Sequence, residues 1–293
     1  MAIITKEFQE NVLDEMKDYS ILTHTEKAPL YERLLVKKVP TSSLHPNPDD
    51  EFTNPEIGPN SDIVGGYEKE MVSYDKYSKT PHIEPIIVEK LSTGGYMILN
   101  GHHRWLAAKK LEMPYVPIRI VTPTHEQDIQ ARLAKLSSDT CVSIDLDEVL
   151  ICDPNKFAVD KLPFPLDKMY IWPIRKDSRP LINTLRRMGC DVWIYTGNYY
   201  PPQFIKAALT AHRIKVDGII SGLDLANLSN DLRKAIRKKY STTIHIDGER
   251  LLWVNAETKE FESFDLPADD TWARKAASKI QEIITSDAYR TDE

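Results

Sequence analysis

Cys141-Val142-Ser143-Ile144-Asp145-Leu146-Asp147-Glu148-Val149-Leu150 is the stretch whose reading decides the fold. A short apolar run ends in two carboxylates two residues apart, which puts both on one side of an extended chain as the strand finishes. In open α/β sheets ligands bind beyond the carboxyl ends of the strands. Asp145 and Asp147 there offer oxygen ligands to a hard divalent cation, and one of them a nucleophile. The competing reading is a polar strand end entering a turn.

Downstream the same pattern returns. A passage rich in Pro and aromatics, residues 152–174, precedes a helix over residues 178–188 that Gly189 ends. The strand Asp191-Val192-Trp193-Ile194-Tyr195 then finishes in Thr196-Gly197-Asn198, a hydroxyl and exposed amides suited to a phosphate oxygen. A helix over residues 201–211 leads to the strand Val216 to Ser221. A further helix, Asn227 to Lys239, feeds the strand Thr242 to Ile246, which ends in Asp247-Gly248-Glu249. Alternating strand and helix signals predict an α/β fold with a parallel sheet and helices on both faces, so that three polar strand ends meet along one edge. The spacings from Asp145 to Thr196 and from Thr196 to Asp247 leave no room for a large cap domain. Residues 270–288 read as an amphipathic C-terminal helix that packs on the sheet.

Upstream, Phe8, Val12, Leu13 and Met16 predict a short helix over residues 6–19. Tyr31 to Pro40 reads as a strand followed by a polar loop, and residues 53–82, rich in Pro, Gly, Asn and Asp, read as a long irregular insertion. Ile83 to Lys90 and Tyr96 to Leu99 form a hairpin about Thr93-Gly94-Gly95. Asn100-Gly101-His102-His103-Arg104 then opens a helix that runs to Leu111. Strand, glycine and helix start outline an anion site: Gly101 lets backbone amides approach a phosphate, and Arg104, His102 and His103 add donors. The bland alternative is a solvated basic helix start. A helix over residues 125–136 closes this half, and the boundary falls between domains 1–137 and 138–293.

With 41% hydrophobic and 28% charged residues over 293 positions, two globular domains are expected. No apolar run approaches a membrane span, which predicts a cytoplasmic protein with no membrane partner. Three cysteines, Cys141, Cys152 and Cys190, are too few and too scattered for a disulfide framework or a zinc cluster. A net charge of -6 argues against large non-specific affinity for nucleic acid but leaves room for a local basic groove.

Two resemblances add to this reading. From about Val36 to Val121, the motifs Val39-Pro40, His45-Pro46-Asn47-Pro48, Ile83-Glu84-Pro85-Ile86-Ile87-Val88, Asn100-Gly101-His102-His103-Arg104 and Val116-Pro117-Ile118-Arg119-Ile120 resemble the ParB/sulfiredoxin superfamily. The resemblance implies an α+β domain whose Gly-x-x-Arg helix start binds nucleotide phosphates. No cysteine occurs in residues 1–140, which excludes sulfiredoxin chemistry. Gly-His-His-Arg looks most like the free serine kinases of the superfamily, implying ATP, ADP or CTP as the nucleotide and a catalytic acid from the loop holding Asp49, Asp50 and Glu51. A centromere-binding ParB would need a helix-turn-helix domain after this module, and no such pattern follows.

The order Ile-Asp-Leu-Asp-Glu-Val, Ile-Tyr-Thr-Gly, a basic helix and Ile-His-Ile-Asp-Gly resembles the haloacid dehalogenase superfamily over residues 140 to about 266. This implies a Rossmannoid, Mg²⁺-dependent phosphatase without a large cap. Asp145 would be the nucleophile and Asp147 the general acid and base. Mg²⁺ would lie between the Asp145 carboxylate, the Asp147 carbonyl and Asp247, with Thr196 holding a phosphoryl oxygen. The motif lysine is displaced: Ser229-Asn230-Asp231 stands at its place, with Lys234 one turn later and Lys215 an alternative. The implied protein is a bifunctional phosphate-transfer enzyme, its substrate a phosphorylated small molecule or a nucleic-acid end. The other reading is a nucleotide-gated regulatory protein with a degenerate phosphatase-like domain. The ester, the acceptor and the oligomeric state stay open.

Overall fold

Two stretches that alternate in burial, Ile86–Lys90 and Tyr115–Val121, form the middle of the first sheet. In this computed structural model residues 12, 25–75, 83–170, 172–223 and 228–290 are described, so all of the helix expected over residues 6–19 but Val12 lies outside them. The chain divides into two units, Met1–Thr122 and Pro123–Glu293.

In the first unit, β1 (Val36–Pro40), β2 (Leu44–His45), β3 (Ile86–Lys90), β4 (Tyr96–Asn100) and β5 (Tyr115–Val121) form a sheet in the order β1-β5-β3-β4-β2. The expected hairpin is there: β3 and β4 pair antiparallel, and the turn uses Gly94 and Gly95 at φ of 98° and 82°. Helices α1 (Leu30–Leu34), α2 (Ser61–Asp75) and α3 (His102–Lys110) complete it. Ile86, Val88, Ile98, Trp105, Val116, Ile118 and Ile120 are its core.

Two sequence expectations are corrected here. The first half of Tyr31–Pro40 is helical and only Val36–Pro40 is strand. The supposed irregular insertion holds α2, opened by Asn60, whose Oδ1 accepts the N–H groups of Asp62 and Ile63 at 3.0 and 3.2 Å. Its inward stripe is Val64, Tyr67 and Met71. Gly65-Gly66, poor helix formers with nothing packed against them, hid that period.

In the second unit, β6 (Thr140–Asp145), β7 (Asp191–Thr196), β8 (Gly218–Ser221), β9 (Thr242–Asp247), β10 (Arg250–Asn255) and β11 (Phe261–Asp265) form a sheet in the order β11-β10-β9-β6-β7-β8. Strands β9, β6, β7 and β8 are parallel, as expected. The antiparallel extension β10–β11 is an addition to the sequence reading: Asp247-Gly248, taken there only as a strand end, also turns a hairpin, with Gly248 at φ 58°.

The helices are α4 (Glu126–Leu133), α5 (Leu166–Met169), α6 (Ser178–Arg187), α7 (Pro202–Ala211), α8 (Asn230–Lys239) and α9 (Trp272–Arg290). Val142, Ile144, Val192, Ile194, Ile244 and Ile246 pack with α6, α7 and α9 on one side. Cys141 and Trp193 pack with Ile129 and Leu133 of α4 and Leu232 of α8 on the other. The period of 2 along each strand thus serves two apolar layers. Through α4 the division falls at Thr122/Pro123, N-terminal of the expected 137/138, because Ile129 and Leu133 join the second unit's core. Among the described residues no helix is long and apolar enough to cross a membrane.

A buried polar chain pins this second layer. Trp193 Nε1 donates to the Tyr240 hydroxyl at 3.2 Å, and that hydroxyl donates to Asp191 Oδ2 at 3.0 Å. Tyr240→Phe strips both partners of a bond and should lower stability by about 1–3 kcal/mol, read by urea unfolding; an unchanged midpoint would show that the chain contributes nothing.

Candidate functional sites

Gly101 sits between β4 and α3 at φ 102°, a left-handed conformation that opens the helix without a capping side chain. A Cβ there would lie 3.2 Å from Arg104 Nε and Nη2, so the guanidinium folds back over the glycine. Arg104 is 6% exposed. Its Nη1 donates to the Glu84 carboxylate at 2.9 Å and to the Glu84 and Pro85 carbonyls at 3.0 and 3.2 Å, and Nη2 donates to Asn100 Oδ1 at 3.2 Å. Only Nε, beside Gly101, is buried without a hydrogen-bond partner among the described residues. Arg104 is therefore mostly a brace for the turn, where the sequence reading made it a phosphate ligand.

The two histidines are held differently from the donors expected. His102 Nε2 accepts the Asn47 N–H at 3.2 Å and His103 Nε2 accepts the Asn60 N–H at 3.1 Å, so each imidazole is neutral with its proton on Nδ1. Phe52 stacks on His102 and meets His103 edge-on, both at 5.2 Å between centroids. Of the loop acids, Asp50 reaches this helix start: Oδ2 lies 3.5 Å from His102 Nδ1, while Oδ1 accepts the Phe52 N–H at 2.9 Å. Glu51 is exposed. Asn47 and Glu84 stand in quoted motifs but were given no role at the site, and Phe52 and Asn60 were not singled out from the sequence.

Burial pushes the His102 pKa from 6.5 down to about 4, against the opposing pull of Asp50. A histidine with a depressed folded pKa leaves the unfolded chain with more protons bound between those values, so stability rises with pH across that window. As pH falls from about 6.5 to about 4, on the order of 3 kcal/mol should be lost. Urea unfolding at stepped pH checks this. His102→Gln, which keeps an acceptor, should flatten the slope, and an unchanged slope would exonerate His102.

In the second unit, adjacent strands line up the predicted residues. Asp145 pairs in register with Tyr195 and Ile144 with Ile246, so Asp145, Thr196 and Asp247 end neighbouring strands at one sheet edge. A π-helical turn, Leu146–Leu150, wraps the Asp145 carboxylate, which accepts the Glu148 N–H at 2.6 Å. Asp147 Oδ2 accepts from the Thr196 hydroxyl at 2.5 Å and from Asn198 Nδ2 at 3.0 Å. Thr196 is fully buried, and its hydroxyl accepts the Asn198 N–H at 3.0 Å. Tyr200, tilted against Trp172 at 5.0 Å, also bonds to Asp147, and burial and that carboxylate raise its pKa. Sequence reasoning passed over Tyr200; its position just before Pro201-Pro202, after a polar strand end, was the available signal.

Burial, and behind it the charges of Asp147 and Asp247, push the Asp145 pKa up, offset in part by the N–H groups of Glu148 and Asp147. Among the described residues none of these three carboxylates has a Lys or Arg ion-pair partner. No group of three or more His, Cys, Asp or Glu side chains there is placed to hold a metal. Asp145 and Asp247 are oxygen donors without a paired cation among the described residues, the ligand chemistry that a hard cation such as Mg²⁺ takes.

Lys234 departs from the expectation. Its side chain is 79% exposed and lies 3.8 Å from Asp231 in solvent. Lys215 precedes β8, at the opposite edge of the parallel sheet from the carboxylates.

Residues 75–136 match the family model described as ParB N-terminal domain. Two solved structures of C-terminally truncated chromosome-partitioning protein ParB from Caulobacter crescentus are similar in part. One, complexed to the centromeric parS site, is 19% identical and covers 34% of this chain and 46% of its own, with TM-score 0.23. The other, complexed with CTP-gamma-S, is 20% identical and covers 36% of this chain and 56% of its own, with TM-score 0.24. The chain thus spans about half the length of the ParB chains it matches. No curated protein matches.

Proposed function

We propose that the chain joins a nucleotide-binding, ParB-like unit to a Mg²⁺-dependent phosphatase unit of the haloacid dehalogenase type. The observation that carries the second half is the sheet edge itself: Asp145 and Asp247 end neighbouring strands there, the charges of Asp147 and Asp247 act on Asp145, and among the described residues none of the three is paired with a Lys or Arg. Asp145 attacks phosphorus and the ester P–O bond breaks, while Asp147 hands a proton to the leaving oxygen. Asp147 then takes a proton from water, which cleaves the acyl phosphate and releases inorganic phosphate. Asp145, Asp247 and the Asp147 carbonyl would hold Mg²⁺, which when bound would neutralise charge on the phosphoryl group. Thr196 and Asn198 hold Asp147 and lie ready to bond a phosphoryl oxygen when it arrives. Magnesium-dependent hydrolysis of a generic aryl phosphate by the full chain is the test.

In the first unit, the uncapped amides at the start of α3 and the unmatched Arg104 Nε support a nucleotide phosphate at Gly101. Asp50, poised on His102, is the acid we assign to kinase chemistry on a hydroxyl acceptor. Arg104→Ala should weaken ATP, ADP or CTP binding roughly 10- to 150-fold, the equivalent of about 1.5–3 kcal/mol for a charge-assisted bond. Arg104→Lys should not restore it, since an ammonium cannot span Glu84, Pro85 and Asn100 at once. Calorimetry on the full chain decides: equal affinity in wild type and Arg104→Ala would remove the site.

One observation favours the regulatory reading, in which both units bind and neither turns over. Lys234, the nearest candidate for the motif lysine, is paired in solvent with Asp231. Tight nucleotide binding with no aryl phosphate turnover would select that reading.

A further inference from the structure

Half of α8 is cationic: Arg233, Lys234, Arg237, Lys238 and Lys239 stand among its ten residues against one acid in its first turn, Asp231. The chain as a whole carries a net charge of -6, so this helix runs against the protein's balance. Its inner side is fixed by Leu232, fully buried, and by Tyr240 at its end, 1% exposed. Arg233, Lys234, Arg237 and Lys238 are consequently exposed. They form two like-charged i,i+4 pairs, 233/237 and 234/238, spaced about 6 Å along the axis, and such pairs oppose helix formation. Lys239 and Arg233 are partly used within the unit, Nζ on the Ser138 carbonyl at 2.7 Å and Nε on the Leu228 carbonyl at 3.0 Å. Arg237 and Lys238 show no such internal use among the described residues. Helix α4 packs beside α8 through Ile129, Leu133 and Leu232, but its Arg132 is turned to the Asp217 carbonyl and its Glu126 to Ser229, so the cationic row belongs to α8.

Topology gives this surface a direction. Helix α8 precedes the parallel strand β9, so its N-terminal end lies toward the sheet edge where β9 ends in Asp247 and β6 ends in Asp145. A polyanion tracking the cationic row is led toward those carboxylates. We propose that the exposed face of α8 binds the sugar-phosphate backbone of a single-stranded nucleic acid and presents its phosphorylated end to Asp145. The substrate class is then a nucleic-acid terminus, an inference that rests on the phosphatase reading of that site.

Fluorescence anisotropy of a labelled, terminally phosphorylated single-stranded oligonucleotide tests the surface on the full chain. Arg237→Glu/Lys238→Glu should bind at least tenfold more weakly at low salt. Its slope of log affinity against log salt should shrink by about 1.4, for two phosphates no longer neutralised. Arg237→Ala/Lys238→Ala should fall between, and a matched unfolding midpoint shows that each variant is folded. Aryl phosphate turnover should be equal in all three proteins, while phosphate release from the oligonucleotide below saturation drops at least tenfold in the charge reversal. No oligonucleotide binding by wild type, equal binding by the variants, or binding only to anionic vesicles would overturn the proposal. If oligonucleotide binding falls in the variant but wild type hydrolyses neither substrate, the surface stands and the phosphatase reading fails.

Discussion

Asp145→Asn should abolish the proposed aryl phosphate turnover by the full chain and leave its unfolding transition in place. The substitution keeps side-chain volume and one acceptor oxygen for the Glu148 N–H, now bonded at 2.6 Å, so the π-turn of Leu146–Leu150 retains its anchor. What it removes is the proposed nucleophile and one of the neighbouring negative charges. Because burial, with the neighbouring charges of Asp147 and Asp247, raises the Asp145 pKa against the pull of two N–H groups, removing that charge should not destabilise the fold electrostatically. Steady-state kinetics beside a thermal melt give both readouts. Turnover comparable to wild type would mean that another group attacks phosphorus.

Asp147→Asn is expected to slow turnover by roughly 100- to 10,000-fold, the usual worth of general acid and base assistance. The loss should depend on the leaving group. With an alkyl phosphate, whose leaving oxygen needs a proton, the first step suffers; with an activated aryl ester the first step survives and hydrolysis of the acyl phosphate stalls. The hydroxyl of Thr196 and the amide of Asn198, at 2.5 and 3.0 Å from Asp147 Oδ2, hold this side chain in place, and an amide keeps an oxygen for them. Equal losses across leaving groups would argue for a purely structural Asp147.

The second unit was legible in its parallel strands because each combines an apolar run with a polar end, and the register then brings Asp145, Thr196 and Asp247 together as the spacing implied. Strands β10 and β11 were not, since Asp247-Gly248 carries a ligand-like carboxylate and a hairpin turn in the same dipeptide. Helix α2 was hidden by two interior glycines. At Gly101 the sequence marked the turn but not the partners of its side chains. The Glu84 and Pro85 acceptors that occupy Arg104, and the Asn47 and Asn60 amides that bind the histidines from 55 and 43 residues away, come from packing that no local period encodes. Lys234 stands one turn past the place of the motif lysine, and its exposure is set by which face of α8 buries Leu232.

The most direct test of the phosphatase assignment is a mass spectrum of Asp147→Asn quenched in acid during reaction with an activated aryl phosphate and Mg²⁺. The account predicts one phosphoryl group on the peptide that contains Asp145, appearing with the burst of released aryl alcohol. A burst with no label on that peptide, or a label on a peptide lacking Asp145, would contradict it.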